Sequence, residues 1–479
     1  MTRRPFSVQR LRRASAQRGV AVILVMGAIT IMAIMLSEMQ DENAADLSSA
    51  ISERDALKAE YAAKSAINLS RLLIAAEPTI RRTLTPLFMM MRQSPPQIPV
   101  WEFADQVLGA FGDNDGVGRF KGLAAVDMTQ AKNLGLAGAG FDLVVVDEDS
   151  KLNLNLAARG DAFSQSRAGA AILGLIEGTQ YNSLFEERDA DGQFTSRQDV
   201  CSAIVDWADP NTEGFGCEPH AATATSYGPE DSFYQMLPSP YLRKNAAFDS
   251  LEELRLVRGM TDDFWATFVE PNPDDPRSRP VTIWGQGATN VNTANAQAIL
   301  AIVCANALEA PMCTDAEQAI QFLSTVELIR SFTAGAPTFG SPKAFINAMK
   351  GQGSIGQVLA AIGVQPATFR SESEALKTVA TESKVFSIVA TGYVKQAKRE
   401  TRVRVHAVVD FRGAPAPTEA LAQIANALTG GAGGAGAGSE QESNASRSGA
   451  GLPEGVTEEG IAGAFRADPA GKVLYYRVN

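Results

Sequence analysis

A run of seventeen residues, Val20 to Leu36, is almost wholly apolar, and a basic stub ending in Arg18-Gly19 stands directly before it. No other stretch constrains the fold so strongly. At ~1.5 Å per residue the run makes a helix of about 26 Å, just enough to span a bilayer. An ordinary secretory signal places its small-residue cut site after the apolar stretch. Here Gly19 comes before it, so a cut after Gly19 removes only residues 1–19 and leaves Val20 and the apolar helix at the new N-terminus. The leader carries six Arg and no acid, whereas Glu38, Asp41 and Glu42 follow the run. By the positive-inside rule the leader stays cytoplasmic and the bulk is exported. A plain signal anchor shares that orientation.

The chain has 479 residues and a formal charge of −11, which leaves −17 on residues 20–479. An acidic body speaks against general nucleic-acid binding and is compatible with hard cations. Apolar content of 45% with 20% charged residues fits a globular chain. The cysteines form two close pairs in sequence, Cys201 with Cys217 and Cys304 with Cys313. In an oxidising compartment each pair can close a local disulfide loop, although four cysteines allow three pairings.

From Val20 to Glu77 the chain has no proline, and good helix formers dominate residues 42–77. The expectation is one helix from the membrane to Pro78, roughly 87 Å long at ~1.5 Å per residue. Phe141 to Asp147 reads as a strand, which Lys151 to Leu156 continues after a turn. Residues 157–380 read as mostly helical. Ser250 and Glu253 have capping-box spacing, and LNLNLA (152–157) is weakly echoed by TNVNTA (289–294). Strands return at Val385–Val394 and Thr401–Phe411, where Val403, Val405, Ala407, Val409 and Phe411 share one face. Residues 429–451 are a Gly/Ala/Ser loop, and Lys472 to Val478 form a last strand. The expected fold is α+β: a long N-terminal helix on a small antiparallel sheet, with a large inserted, mostly helical domain. Its divisions are a leader (1–19), a long helix (20–77, transmembrane at 20–36), a first sheet part (78–156), the inserted domain (157–380) and a last sheet part (381–479).

The residues QRGVAVILVMGAITIMA (17–33) resemble the N-terminus of prepilins and pseudopilins. DEDSKLNLNLA (147–157), AIVDWADPN (203–211), SFYQMLPSPYLRKNAAFDSLEELRLVRGM (232–260), NVNTANAQAILAI (290–302) and VLYYRVN (473–479) follow the order of segments in type II secretion protein K, a minor pseudopilin family. The resemblance implies a pilin-like fold, cleavage after Gly19 by a prepilin peptidase and N-methylation of Val20. Most pilins carry Glu at the fifth mature position, where this chain has Leu24. An unpaired Glu in lipid is costly, and a subunit without it offers no counter-charge to one docked ahead. Protein K members share this lack, and the family places them at the filament tip. The implied partners are minor pseudopilins I and J and the inner-membrane secretion platform. The Gly/Ala/Ser loop is longer than the family pattern, and residues 311–380 match no segment of it.

Asp206 to Gly214 places oxygen ligands at alternating positions from Asp209, as in the first half of a calcium loop. The twelfth position holds His220, so this is no EF-hand. The resemblance implies calcium here, with Asp206, Asp209, Asn211, Glu213, Glu218, Glu230 and Asp231 as the candidate group. The competing reading is a solvated acidic loop held by a Cys201–Cys217 bond. Asp189–Gln193 and Asp113–Gly116 read as Asp-Gly turns. NVNTA with LVRGM is similar to helix-hairpin-helix DNA-binding units, but no glycine follows Asn292 before Gly335. A structural hairpin and no nucleic acid are expected. With two His and no P-loop, nucleophile elbow or HExxH, the chain is not expected to be an enzyme.

Overall fold

The computed structural model describes residues 16–90, 95–109, 138–186, 188, 194–218, 225–229, 232–333, 335–396, 399–415 and 468–479. Helix α1 runs from Ala16 to Met90, about 112 Å at ~1.5 Å per residue. Between Val20 and Met39 its large apolar side chains are 57–72% exposed. Water does not tolerate such an apolar sleeve, and a bilayer does. Among the described residues this is the one helix long and apolar enough to cross a membrane.

Beyond the sleeve α1 changes character. Ala59, Ala62, Ala63 and Ala66 are fully buried, followed by Ile67 and Ile74. Small side chains let the helix lie close to the sheet. At Gly392 an added Cβ would stand 1.8 Å from the Ala59 carbonyl oxygen, so only glycine fits there. The helix does not stop at Pro78 as the sequence suggests; it carries both Pro78 and Pro86 inside it. A proline removes one ladder hydrogen bond and crowds the preceding turn. Tertiary contacts on both sides of Pro78 hold the axis. The Glu77 carboxylate accepts the Ile98 N–H at 3.0 Å, and Arg81 pairs with Glu77 at 3.3 Å and with Glu382.

Four strands form the sheet: β1 (Ala139–Asp147), β2 (Val385–Gln396), β3 (Arg399–Asp410) and β4 (Lys472–Val478). Their order is β1-β2-β3-β4 and every pairing is antiparallel. Phe386, Ile388, Val405, Ala407 and Val409 form a core with α1, and Trp101 packs on Phe386 at 4.6 Å. The Gly/Ala/Ser loop, residues 429–451, lies outside the described residues.

Everything from Glu148 to Lys384 is inserted between two neighbouring strands. Three consecutive acids hold that junction. Asp147 accepts the hydroxyls of Thr293 and Ser383, and Asp149 accepts the backbone N–H groups of Gln286, Lys384 and Val385. Between them Glu148 accepts the Thr282 hydroxyl at 2.5 Å and stands 3.6 Å from the buried Lys151 ammonium. Residues 152–156 do not extend β1. Leu152–Asn153 instead pair in parallel with Val281–Thr282, and Leu154–Arg159 form a 3-10 turn.

The inserted domain contains the same device twice. In the first copy Asn153 Oδ1 accepts the Asn155 N–H, and the Asn155 amide group bonds Phe248 O, Ile283 O and Phe248 N. In the second, Thr289–Asn290 pair in parallel with Val379–Ala380, and Asn290 Oδ1 accepts the Asn292 N–H. The Asn292 amide group then bonds Phe339 O, Thr381 O, Thr338 N and Phe339 N. Ile283 and Thr381 each follow the short strand directly, so the two sets of contacts correspond. The echo in the sequence is therefore a repeated fold. The first copy carries α2 (Ala162–Ile176) and α3 (Arg197–Ala208). The second carries α4 (Ala296–Asn306), α5 (Ala316–Thr333), α6 (Pro342–Met349) and α7 (Gly353–Ile362).

The expected capping box at Ser250 does not form. Ser250 makes no side-chain cap, and Leu251–Leu256 is a 3-10 helix. The Glu253 carboxylate is drawn away to Lys244 and to the Asp249 N–H. A reciprocal box does form at Ser196 and Asp199, where it starts α3.

Candidate functional site

The cap at Ser196 fixes the start of α3, and α3 delivers Asp206 and Asp209 to a loop closed by a disulfide. Cys201 on α3 is bonded to Cys217, with Cα atoms 5.9 Å apart. A short hairpin, Glu213–Gly216 with Thr225–Pro229, lies beside it. The second bond joins Cys304 at the end of α4 to Cys313, with Cα atoms 5.5 Å apart.

Asp206 and Asp209 are both buried, at 8% and 1% exposure. Asp206 Oδ1 accepts the Phe215 N–H at 2.7 Å. Asp209 Oδ2 accepts from Asn211 at 2.8 Å and from Gln165 of α2 at 3.2 Å. Its other oxygen, Oδ1, is buried with no hydrogen-bond partner among the described residues. Burial pushes the Asp206 carboxyl up to about 7, and the charge of Asp209 adds to that. Burial also pushes Asp209 up to about 6, against the opposing charge of Arg243. Arg243 donates to the Asp206 carbonyl at 2.8 Å and supplies positive charge near both acids.

The other candidates are dispersed. Asn211 Oδ1 is used by the Glu213 N–H at 2.7 Å, and Glu213 and Glu218 are exposed. His220, Glu230 and Asp231 lie outside the described residues, as do Asp113–Gly116 and Asp189–Gln193. Among the described residues no group of three or more His, Cys, Asp or Glu gathers closely enough to hold a metal. The orphaned Asp209 oxygen, coupled to a second buried carboxylate, fits a hard cation. Gln165 and Arg243 belong to this site too. Arg243 lies in the segment 232–260 that resembles the protein K family, whereas nothing in the sequence marks Gln165. At the other end of the molecule α1 passes unbroken through Gly19 and Val20.

Comparison with known proteins bears on the same segment. The family model for type II secretion system protein K matches residues 150–269, about a quarter of the chain. Type II secretion system protein K of Aeromonas hydrophila is 41% identical over 67 residues, which are 14% of this chain. The match spans only 18% of that relative's length. The crystal structure of the GspK-GspI-GspJ complex of enterotoxigenic Escherichia coli overlaps 57% of this chain and 75% of the solved one, at 14% identity. Its TM-score is 0.34, too low to carry an argument. The acidic loop, its disulfide partners Cys201 and Cys217, and the first Asn-anchored helical copy up to Val269 lie within the stretch that is similar to the protein K family model.

Proposed function

We propose that this chain is a minor pseudopilin at the tip of the type II secretion pseudopilus, where it supports export of folded proteins across the outer membrane. The observation that supports the reading is a match to the protein K family model over residues 150–269, set behind one long, apolar N-terminal helix. Before assembly the apolar segment anchors a single-pass subunit in the inner membrane, with the leader cytoplasmic and the bulk periplasmic. After cleavage behind Gly19 and methylation of Val20 the same helix becomes the stem within the filament. Leu24 in place of an acid suits a subunit with nothing docked ahead of it, and the bulky insertion suits an end rather than a shaft. Minor pseudopilins I and J and the secretion platform are its partners in this reading, and the role is assembly rather than catalysis. Co-expression with a prepilin peptidase is expected to shorten the chain by its first nineteen residues, read by intact mass, with Gly19→Ala blocking the cut. A chain that still begins at Met1, or one cut beyond Leu36, overturns the reading.

We further propose that Asp206 and Asp209 take part in holding calcium, the ion supplying the positive charge that two buried carboxylates lack. Chelation is expected to lower the melting temperature of the wild type and to leave Asp209→Asn unmoved. An unchanged melting temperature in the wild type favours the acidic loop held by its disulfide alone, and an equal drop in both places the calcium elsewhere.

A further inference from the structure

Beside the second copy, between α4, α5, α6 and α7, lies a half-open cavity of about 420 Å³, within the range of small-molecule sites. Its inner wall is apolar, with Ile299, Val326, Phe345, Ile355 and Leu359 among the lining residues. The first copy shows what this scaffold does when filled. Ser250, Phe264 and Phe268 there correspond to Ser341, Ile355 and Leu359 in the second, counted from the matched Phe248 and Phe339. Phe264 and Phe268 pack with tilted rings at 4.8 Å, Tyr181 meets Phe268 edge-on at 4.6 Å, and Phe185 meets Phe264 edge-on at 6.3 Å. Aliphatic side chains stand where the second copy meets its cavity.

One end of the cavity is charged. Glu102, Arg330 and the exposed Glu327 line it; both acids act on Arg330 electrostatically, Glu327 the more strongly, yet no direct ion pair joins Glu102 to Arg330 among the described contacts. Arg330 donates to the Ala294 carbonyl. Burial pushes the Glu102 carboxyl above its ordinary value and holds Arg330 below its own. Gly335, at φ +79°, lets the chain pass over Glu102: a Cβ there would meet its Oε2 at 2.9 Å. A donor and an acceptor of opposite charge thus share one apolar chamber. A charged ligand head is attracted by one and repelled by the other, and loses its hydration on entry. An uncharged amide satisfies both, its oxygen accepting from Arg330 and its N–H donating to Glu102.

We propose that this cavity binds a small, largely apolar molecule carrying one uncharged amide group. The inference is independent of the assembly reading. The full chain in lipid nanodiscs is titrated with 4-butylbenzamide, 4-butylbenzoate and butylbenzene, and binding is followed by saturation-transfer NMR. Saturable binding is expected, with the benzamide preferred over the other two by roughly tenfold. Ile355→Phe with Leu359→Phe, which copies the first repeat, is expected to abolish binding while the melting temperature holds or rises. Arg330→Met is expected to keep binding but to lose the preference for the amide over butylbenzene. No saturable binding to the wild type, a preference for the benzoate, or undiminished binding in the folded double variant overturns the proposal. If the double variant does not fold, an unchanged amide preference in Arg330→Met overturns it.

Discussion

The two copies of the inserted unit share a frame and differ in what fills it. Each begins with an Asn-x-Asn segment, pairs a two-residue strand in parallel and pins a distant phenylalanine loop through its second asparagine. Around that frame the first copy has an aromatic core and a disulfide-closed loop with two buried aspartates. The second has Ile355 and Leu359 in place of Phe264 and Phe268, a cavity, and a shorter disulfide loop. Backbone-directed hydrogen bonds therefore specify the repeat, and the side chains between them are free to diverge. What is common to the copies should cost both equally when lost, and what differs should separate them.

The largest effect tests the shared frame. Asn155→Ala and Asn292→Ala each leave several buried backbone groups unpaired and are expected to cost ~3 kcal/mol or more, read by denaturant unfolding. A large loss in one with less than ~1 kcal/mol in the other would break the equivalence of the copies. Disulfides come next. Removing Cys201–Cys217, sequence separation 16, is expected to cost about 3 kcal/mol, and removing Cys304–Cys313, separation 9, about 2.6 kcal/mol. Double Cys→Ala variants and their melting curves give the order.

Two of the three junction acids, Asp147 and Glu148, bind the two copies with opposite pH dependence, and Asp149, which burial pushes up to about 6, follows Asp147. Asp147 holds Thr293 of the second copy, and burial together with the charge of Asp149 pushes its carboxyl up to about 7. A raised folded-state value means that its contribution is full below the ordinary value of 3.8 and is lost as pH rises through about 7. Glu148 holds Thr282 beside the first copy. Burial opposes its charge, but the Lys151 ammonium and the hydroxyls of Ser387 and Thr282 keep it below the ordinary value of 4.5. Its contribution is present above that value and is lost on acidification. Between pH 5 and 8, hydrogen exchange at residues 289–294 should accelerate by an amount on the order of 2 kcal/mol, and Asp147→Asn should flatten the change. Equal acceleration at residues 152–157 would contradict this asymmetry.

The smallest effect is a cap. Ser341 accepts the Ala344 N–H at 3.2 Å, whereas Ser250 at the matched place caps nothing. Ser341→Ala is expected to cost ~1 kcal/mol and Ser250→Ala only a few tenths. Similar losses would mean that Ser250 caps in solution.

Much of this frame was legible in the sequence because it rests on local pattern. The apolar sleeve, the alternating strands around residues 385–411 and the echo of LNLNLA in TNVNTA all record periodicity or short spacing. The misreadings come from contacts distant in sequence. Pro78 sits inside α1 because Glu77 and Arg81 are held by Ile98 and Glu382. Ser250 has capping spacing, yet its Glu253 serves Lys244. Leu152 leaves the line of β1 to meet Val281. Within the acidic loop, the spacing of Asp206 and Asp209 is legible in the sequence. Gln165 is not, because it joins them only through the packing of α2 on α3. The cavity was equally hidden, since an aliphatic segment looks the same whether its core is filled or hollow.

The proposed role, one subunit of a pseudopilin assembly, is decided by co-expressing the full chain with minor pseudopilins I and J and a prepilin peptidase and purifying through a tag on J. A stable complex is expected in which this chain begins at Val20 and is present once per copy of I and J, read by native mass spectrometry. A chain that is processed and folded, yet absent from the J-bound fraction, would contradict it.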